Sequence, residues 1–288
     1  METNSPFKSN CLLGKVALIT GGGSGIGFEI SRQIGLHGGK VVLMGRREKF
    51  LKDAVFSLHE ESIGADYYVG DVRSKHSADE SVTFVVGKYG KLDILVNGAA
   101  GNFLANANEL TYKGFKTVMD IDAGGVFNMS TACFGALSET ESQATIVNIS
   151  MTLHYGATWY QSHASAAKSA IDSLTRSFAL EWGRHGISVV GIAPGPIDNT
   201  PGMAKLGPGL AEAGLARIPA GRMGSTMDIA LGVIYLCSNA ASFITGHTVV
   251  IDGGEWLYKK PMVLPDEVSK ISRRVEGKSR AMRPTSKL

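Results

Sequence analysis

Thr20-Gly21-Gly22-Gly23-Ser24-Gly25-Ile26-Gly27 decides how this chain is read. The apolar run Val16-Ala17-Leu18-Ile19 precedes it and reads as a buried strand. A helical pattern through Phe28, Ile30, Ile34 and Leu36 follows. Strand, glycine-rich turn and helix together form the context that points to a dinucleotide site. Glycine allows a tight turn and lets phosphate oxygens approach backbone amides with no Cβ in the way. The first turn of the helix then aims free N–H groups and its positive dipole end at the pyrophosphate. Gly21, Gly22, Gly23, Ser24, Gly25, Ile26 and Gly27 are the expected lining. The competing interpretation is an ordinary glycine-rich βα turn.

The chain has 288 residues, of which 44% are hydrophobic, enough for one large buried core. Its formal charge of +3 is uneven. Nine Lys/Arg and three Asp/Glu lie from Lys259 onward, so the tail carries +6 and the remainder −3. A slightly acidic body argues against nucleic-acid binding. Cys11, Cys133 and Cys237 have neither a disulfide framework nor metal-ligand spacing, which fits a reducing compartment and no metal site. No signal peptide or bilayer-length apolar run is visible, so a soluble protein without a membrane span is expected.

Strands are predicted at Val16–Thr20, Val41–Met44, Asp66–Val69, Ile94–Asn97, Thr145–Ile149, Ser188–Ile192 and Val249–Asp252. Helices are predicted over 25–37, 48–60, 78–89, 112–137, 160–183 and 226–238. Alternating βα units with apolar strands imply an α/β fold, a doubly wound (Rossmann) parallel sheet covered on both faces. The expected organisation is an N-terminal segment (1–13), a single sheet domain (14–256) and a basic extension without periodicity (257–288).

The end of the second strand selects the dinucleotide. An acidic residue there binds the adenosine ribose 2′-hydroxyl, whereas arginines grip a 2′-phosphate. The sequence is Gly45-Arg46-Arg47-Glu48, so Arg46 and Arg47 predict NADP(H), with Glu48 read as a first-turn helix residue. Asp71 and Val72, after the third strand, are placed at the adenine. Ala99, in Asn97-Gly98-Ala99-Ala100-Gly101, is small where the cofactor passes the backbone.

These stretches, with Asn148-Ile149-Ser150, Lys168, Pro194-Gly195 and Asp252-Gly253-Gly254, resemble the short-chain dehydrogenase/reductase family over residues 14 to about 256. The resemblance implies a nicotinamide-dependent reductase, often tetrameric. Through it, Pro194, Gly195, Pro196, Ile197 and Thr200 are expected at the nicotinamide end. One departure is decisive. The family usually carries a Tyr four residues before the active-site Lys, one helical turn away on the same face. Here the Lys is Lys168 and the earlier position holds Ala164. At the family's Asn position stands Asp122.

An isolated carbonyl needs an adjacent acid for reduction, but a conjugated dienoyl thioester forms a delocalised dienolate that hydrogen bonds can stabilise. Ala99 to Phe103, Met119 to Asp122, His163-Ala164 and Ala193 to Ile197 are similar to the branch of the family that reduces 2,4-dienoyl-CoA thioesters in the peroxisome. That resemblance implies Asp122 and Lys168 as the catalytic pair, acting with water. It also implies substrate contacts from Arg73, Phe103, Ser150 and Lys205, while the glycines of 199–221 suit a closing lid. Ser150 either donates to the thioester oxygen or caps its strand. Tyr155, Tyr160 and His163 are the alternative proton donors, read here as packing or substrate wall. The terminal Ser286-Lys287-Leu288 is a peroxisomal import signal, read by an import receptor. Two other readings stay open: a carbonyl or oxoacyl-CoA reductase, and a non-catalytic NADP-binding protein.

Overall fold

The computed structural model describes residues 5–152, 158–200 and 215–281. Seven parallel strands form one sheet in the order β3-β2-β1-β4-β5-β6-β7. They are β1 Val16–Thr20, β2 Lys40–Gly45, β3 Ala65–Val69, β4 Ile94–Asn97, β5 Ala144–Ile149, β6 Ile187–Pro194 and β7 Thr248–Ile251. The described helices are α1 Gly25–Leu36, α2 Glu48–Glu60, α3 Lys75–Tyr89, α4 Tyr112–Ile121, α5 Ala123–Ser138, α6 Ser162–Trp182, α7 Thr226–Cys237 and α8 Pro265–Ala281. This is the predicted α/β doubly wound sheet.

Alternation along each strand sorts side chains into two cores. Ala17, Ile19, Val41 and Leu43 join Ile30 and Ile34 of α1 and Val233 and Ile234 of α7 on one face. Val16, Leu18, Val42 and Met44 join Val85 of α3 and Met129 and Leu137 of α5 on the other. Strands buried on both faces read as continuous apolar runs for this reason. The order reverses at β1, which pairs with β2 on one side and β4 on the other. Ligands in such sheets bind where the strands end at that reversal.

Three expectations need correction. The predicted helix over 112–137 is two helices, divided at Asp122. Backbone bonds from Asp122 N to Val118 O and from Val126 N to Asp122 O persist, so the break is a bend and not a loop. Periodicity hardly changes across such a bend, which hid it. Tyr160 is not helical. It has φ of 64° and lies outside α6, which begins at Ser162. The extension is not featureless either, since α8 spans 17 residues of it. Residues 1–256 form one compact unit and 257–288 a second. Among the described residues no helix is long and apolar enough to cross a membrane.

Candidate active site

The crevice above β1 and β4 is made by removing side chains. Gly21 has φ of +73°, a left-handed conformation that disfavours any side chain. A Cβ there would lie 2.9 Å from Gly98 O, on the facing strand end. A Cβ on Gly27 would lie 2.4 Å from Gly21 O, so only glycine lets α1 start this close to the turn. Thr20 Oγ1 accepts from Gly98 N and Ala99 N at 3.0 and 3.1 Å, tying the two strand ends together. Nothing local to Thr20 in the sequence announces this tie, because its partners lie 78 and 79 positions away. Ser24, the N-cap of α1, makes no capping hydrogen bond with its side chain, and the first turn of α1 carries no acidic residue. A glycine cradle at an uncapped helix start fits the pyrophosphate of a dinucleotide.

Arg46 and Arg47 follow β2 and are exposed, with the Arg47 guanidinium 4.1 Å from the centre of the Phe50 ring. Glu48 sits in the first turn of α2 and pairs with Lys52 at 2.9 Å. Asp71 is gripped by Arg73, whose Nε lies 3.0 Å from Oδ2. Hydrogen bonding from Arg73 holds the Asp71 carboxyl below its usual range, against the opposing effect of burial. Arg73 is therefore already paired. Val72 is buried, and its carbonyl accepts from Asn128.

The second half of the site lies at the ends of β4 and β5. Asp122 and Lys168 are 46 positions apart in the chain, yet Lys168 Nζ is 3.0 Å from Asp122 Oδ2. Their side chains are 1% and 4% exposed, so this is a buried charge pair. The bend between α4 and α5 turns Asp122 towards the pocket, where Oδ1 accepts from Gly101 N at 2.7 Å. Oδ2 meets Lys168 as an ion pair without hydrogen-bond alignment. Lys168 Nζ also donates to Ile149 O at 3.0 Å, which fixes the ammonium at the end of β5. Ala164, one turn before it, is buried and offers no titratable group.

His163 stacks on Phe103, with ring centres 4.3 Å apart. Among the described residues neither ring nitrogen has a hydrogen-bond partner, although the side chain is buried. Burial lowers its pKa, opposed by the Phe103 backbone and the Asp122 charge, so the imidazole favours its neutral form. Asn102 Nδ2 donates to Gln161 Oε1 at 2.6 Å, joining the loop after β4 to the start of α6. Tyr160 is half exposed on its turn.

Ser150 is fully buried, and its hydroxyl donates to Asp172 Oδ2 at 3.0 Å. Its proton is thus committed inward, which favours the strand-capping alternative over a hydrogen bond to a thioester. Thr248 Oγ1 donates to the other oxygen of Asp172 at 2.7 Å. Sequence reasoning missed Asp172. Its signal was available, because an acid four residues after Lys168 lies on the same buried face of α6. Ile197 is buried, and Thr200 Oγ1 donates to Ile197 O at 3.0 Å. Gly195 N donates to Ile251 O at 3.0 Å, and Pro196 O accepts from Gly224 N at 3.0 Å, so the segment after β6 is anchored on both sides. Lys205, His154, Tyr155, most of the expected lid and the terminal tripeptide Ser286, Lys287 and Leu288 lie outside the described residues.

A crevice shaped for a dinucleotide beside a buried lysine defines the class. The chain belongs to the short-chain dehydrogenase/reductase family of oxidoreductases, and it uses a nicotinamide cofactor. The sequence model of the family described as enoyl-(acyl carrier protein) reductase matches residues 21–255. Within that family the chain is 50% identical to a peroxisomal 2,4-dienoyl-CoA reductase of Arabidopsis thaliana, covering 99% of this chain and 100% of the relative. It is 40% identical to the protein of the same name from Danio rerio, covering 87% and 84% of the two chains. A solved short chain dehydrogenase of Bacillus anthracis superposes with a TM-score of 0.82 at 33% identity, covering 87% of this chain and all of that one.

Proposed function

We propose that the chain reduces 2,4-dienoyl-CoA thioesters to 3-enoyl-CoA with NADPH, in the peroxisomal β-oxidation of unsaturated acyl chains. The observation that carries this reading is the buried Asp122–Lys168 pair beside Ala164, where a carbonyl reductase of this family needs its phenol. The 3-enoyl product requires hydride at C5 and a proton at C2, with the double bond moving to C3–C4. The nicotinamide cofactor supplies the hydride. Charge then spreads over a dienolate ending at the thioester oxygen, and the Lys168 ammonium lies at hand to stabilise it. Asp122 orients the water that protonates C2, its Oδ1 held by Gly101 N and its Oδ2 turned towards Lys168.

The glycine turn from Gly21 to Gly27 would hold the pyrophosphate, and Lys168 the nicotinamide ribose. Asp71, Val72 and Ala99 would flank the adenosine half, and Pro194, Gly195, Pro196, Ile197 and Thr200 the nicotinamide. Arg46 and Arg47 would take the 2′-phosphate. Phe103, braced by His163, would wall the acyl or pantetheine portion. Lys205 would meet a CoA phosphate, as would Arg73 once exchanged from Asp71. Phe127 of α5 and Leu180 of α6 are exposed apolar side chains, which supports a homo-oligomer, a tetramer by family likeness. The terminal Ser286-Lys287-Leu288 would address the protein to the peroxisomal matrix through the import receptor.

The test is NADPH oxidation with a trans,trans-2,4-dienoyl-CoA and a matched 3-oxoacyl-CoA. Turnover with the dienoyl compound alone is expected. Turnover with the oxo compound alone would overturn the reading, and binding of NADPH with silence on both would favour a non-catalytic role. Replacing Arg46 and Arg47 by Ala should reduce the preference for NADPH over NADH by about tenfold or more. Deleting Leu288 should leave the protein in the cytosol.

A further inference from the structure

The helix α8 has a face that nothing in the reaction uses. Leu264, at its threshold, and Val268, Ile271 and Val275 are all exposed. Their spacings of four, three and four residues place them in one narrow stripe. That is the seam of a coiled coil, with Leu264 and Ile271 at d positions and Val268 and Val275 at a. The helix is 17 residues long. A helix of that length with so few apolar residues is marginal in water without a partner for its stripe.

The charges beside the seam select the partner. The g positions are Glu267 and Arg274, and the e positions include Ser272 and Ser279. In a parallel pair g faces e, which sets Glu267 and Arg274 against serines and gains nothing from charge. In an antiparallel pair g faces g, which sets Glu267 beside Arg274 of the partner subunit, twice by the two-fold symmetry. The same register packs Val268 on the partner subunit's Ile271, and Leu264 on the partner subunit's Val275. Lys278, the next seam position, falls opposite Pro261 of the partner subunit, ahead of its helix, where its ammonium reaches water. Apolar layers and charge pairs thus agree on a single register.

We propose that α8 pairs antiparallel with α8 of a second copy of this chain. The pairing is independent of the reaction and of the sheet domain's own assembly. It buries the apolar stripe of α8 while leaving Lys270 and Arg273 outward to solvent.

The experiment uses the full chain with Cys11→Ser, since Cys133 and Cys237 are buried. Val268→Cys, Ile271→Cys and the two together are oxidised with glutathione disulfide and resolved without reductant. Facing a and d′ positions suit disulfide geometry, so the double variant should give about tenfold more covalent dimer than either single. Equal yields in the singles and the double would mean parallel pairing and would overturn the register. No dimer in any variant would overturn the pairing altogether, and co-sedimentation with phosphatidylserine vesicles would then assign the stripe to lipid. In the double-cysteine background, Glu267→Arg or Arg274→Glu should each cut the yield about threefold, and the two together should restore it. Failure to restore would also overturn the register.

Discussion

The glycine crevice at β1 and β4 and the charge pocket between α4–α5 and α6 are built by opposite means. The crevice exists because side chains are missing, and its shape is set by backbone. The pocket exists because two full charges are buried against each other, and its shape is set by long-range packing. An isolated buried ion costs several kcal/mol, whereas a paired and hydrogen-bonded one is tolerated. The crevice therefore fails when an atom is added, and the pocket fails when one is taken away.

The sharpest break falls on the pocket. Lys168→Met should lower kcat by about 10²–10⁴-fold. It also leaves Asp122 buried without a counter-charge, which should destabilise the fold by about 3–5 kcal/mol in a urea titration. Asp122→Asn keeps the shape but leaves the Lys168 ammonium buried without its counter-charge, so it should lose turnover together with a comparable loss of stability. Near-normal turnover in both would remove the pair from the chemistry.

On the crevice side the damage comes from an added methyl. Gly27→Ala places a Cβ 2.4 Å from Gly21 O, against backbone that cannot rotate away. The cost should be about 1–3 kcal/mol, with affinity for the nicotinamide cofactor falling alongside stability. Unchanged binding, measured by fluorescence titration, would show that the turn is not the cradle.

Asp172→Ala tests the footing of the pocket. It leaves the buried Ser150 and Thr248 hydroxyls without their acceptor, for about 1–3 kcal/mol. The effect on kcat should be smaller than that of Lys168→Met, because the Lys168 contact with Ile149 O is backbone-based.

The smallest expected effect is a pH slope. His163 has a folded pKa below its unfolded value, so its neutral form contributes stability that is full above about pH 6.5. That contribution falls as pH drops from there towards the folded pKa, because the unfolded chain takes up the proton first. His163→Phe should flatten the urea-midpoint difference between pH 7.5 and 5.5. An unchanged slope would assign the titration elsewhere.

Legibility follows the same division. The glycine turn after β1 and the apolar strands could be read locally, because a turn and a strand each declare themselves within a few residues. Glu48 was correctly placed on α2 for the same reason. The bend at Asp122 was not visible, since α4 and α5 keep a nearly continuous period across it. Tyr160 was placed on α6 by extrapolating a helix two residues too far, past a left-handed residue that no period announces. The helix α8 escaped because its apolar residues are few and its composition is that of a solvated tail.

By itself the sequence determined the sheet, its glycine turn and the absence of a tyrosine at position 164. Each is a property of residues close together in the chain, where periodicity and missing atoms act directly. Only the tertiary structure decided that Asp122 meets Lys168, that Ser150 gives its proton to Asp172, and that His163 stacks on Phe103. Those contacts join residues tens of positions apart, and their geometry depends on how α4, α5 and α6 pack over the ends of β4 and β5.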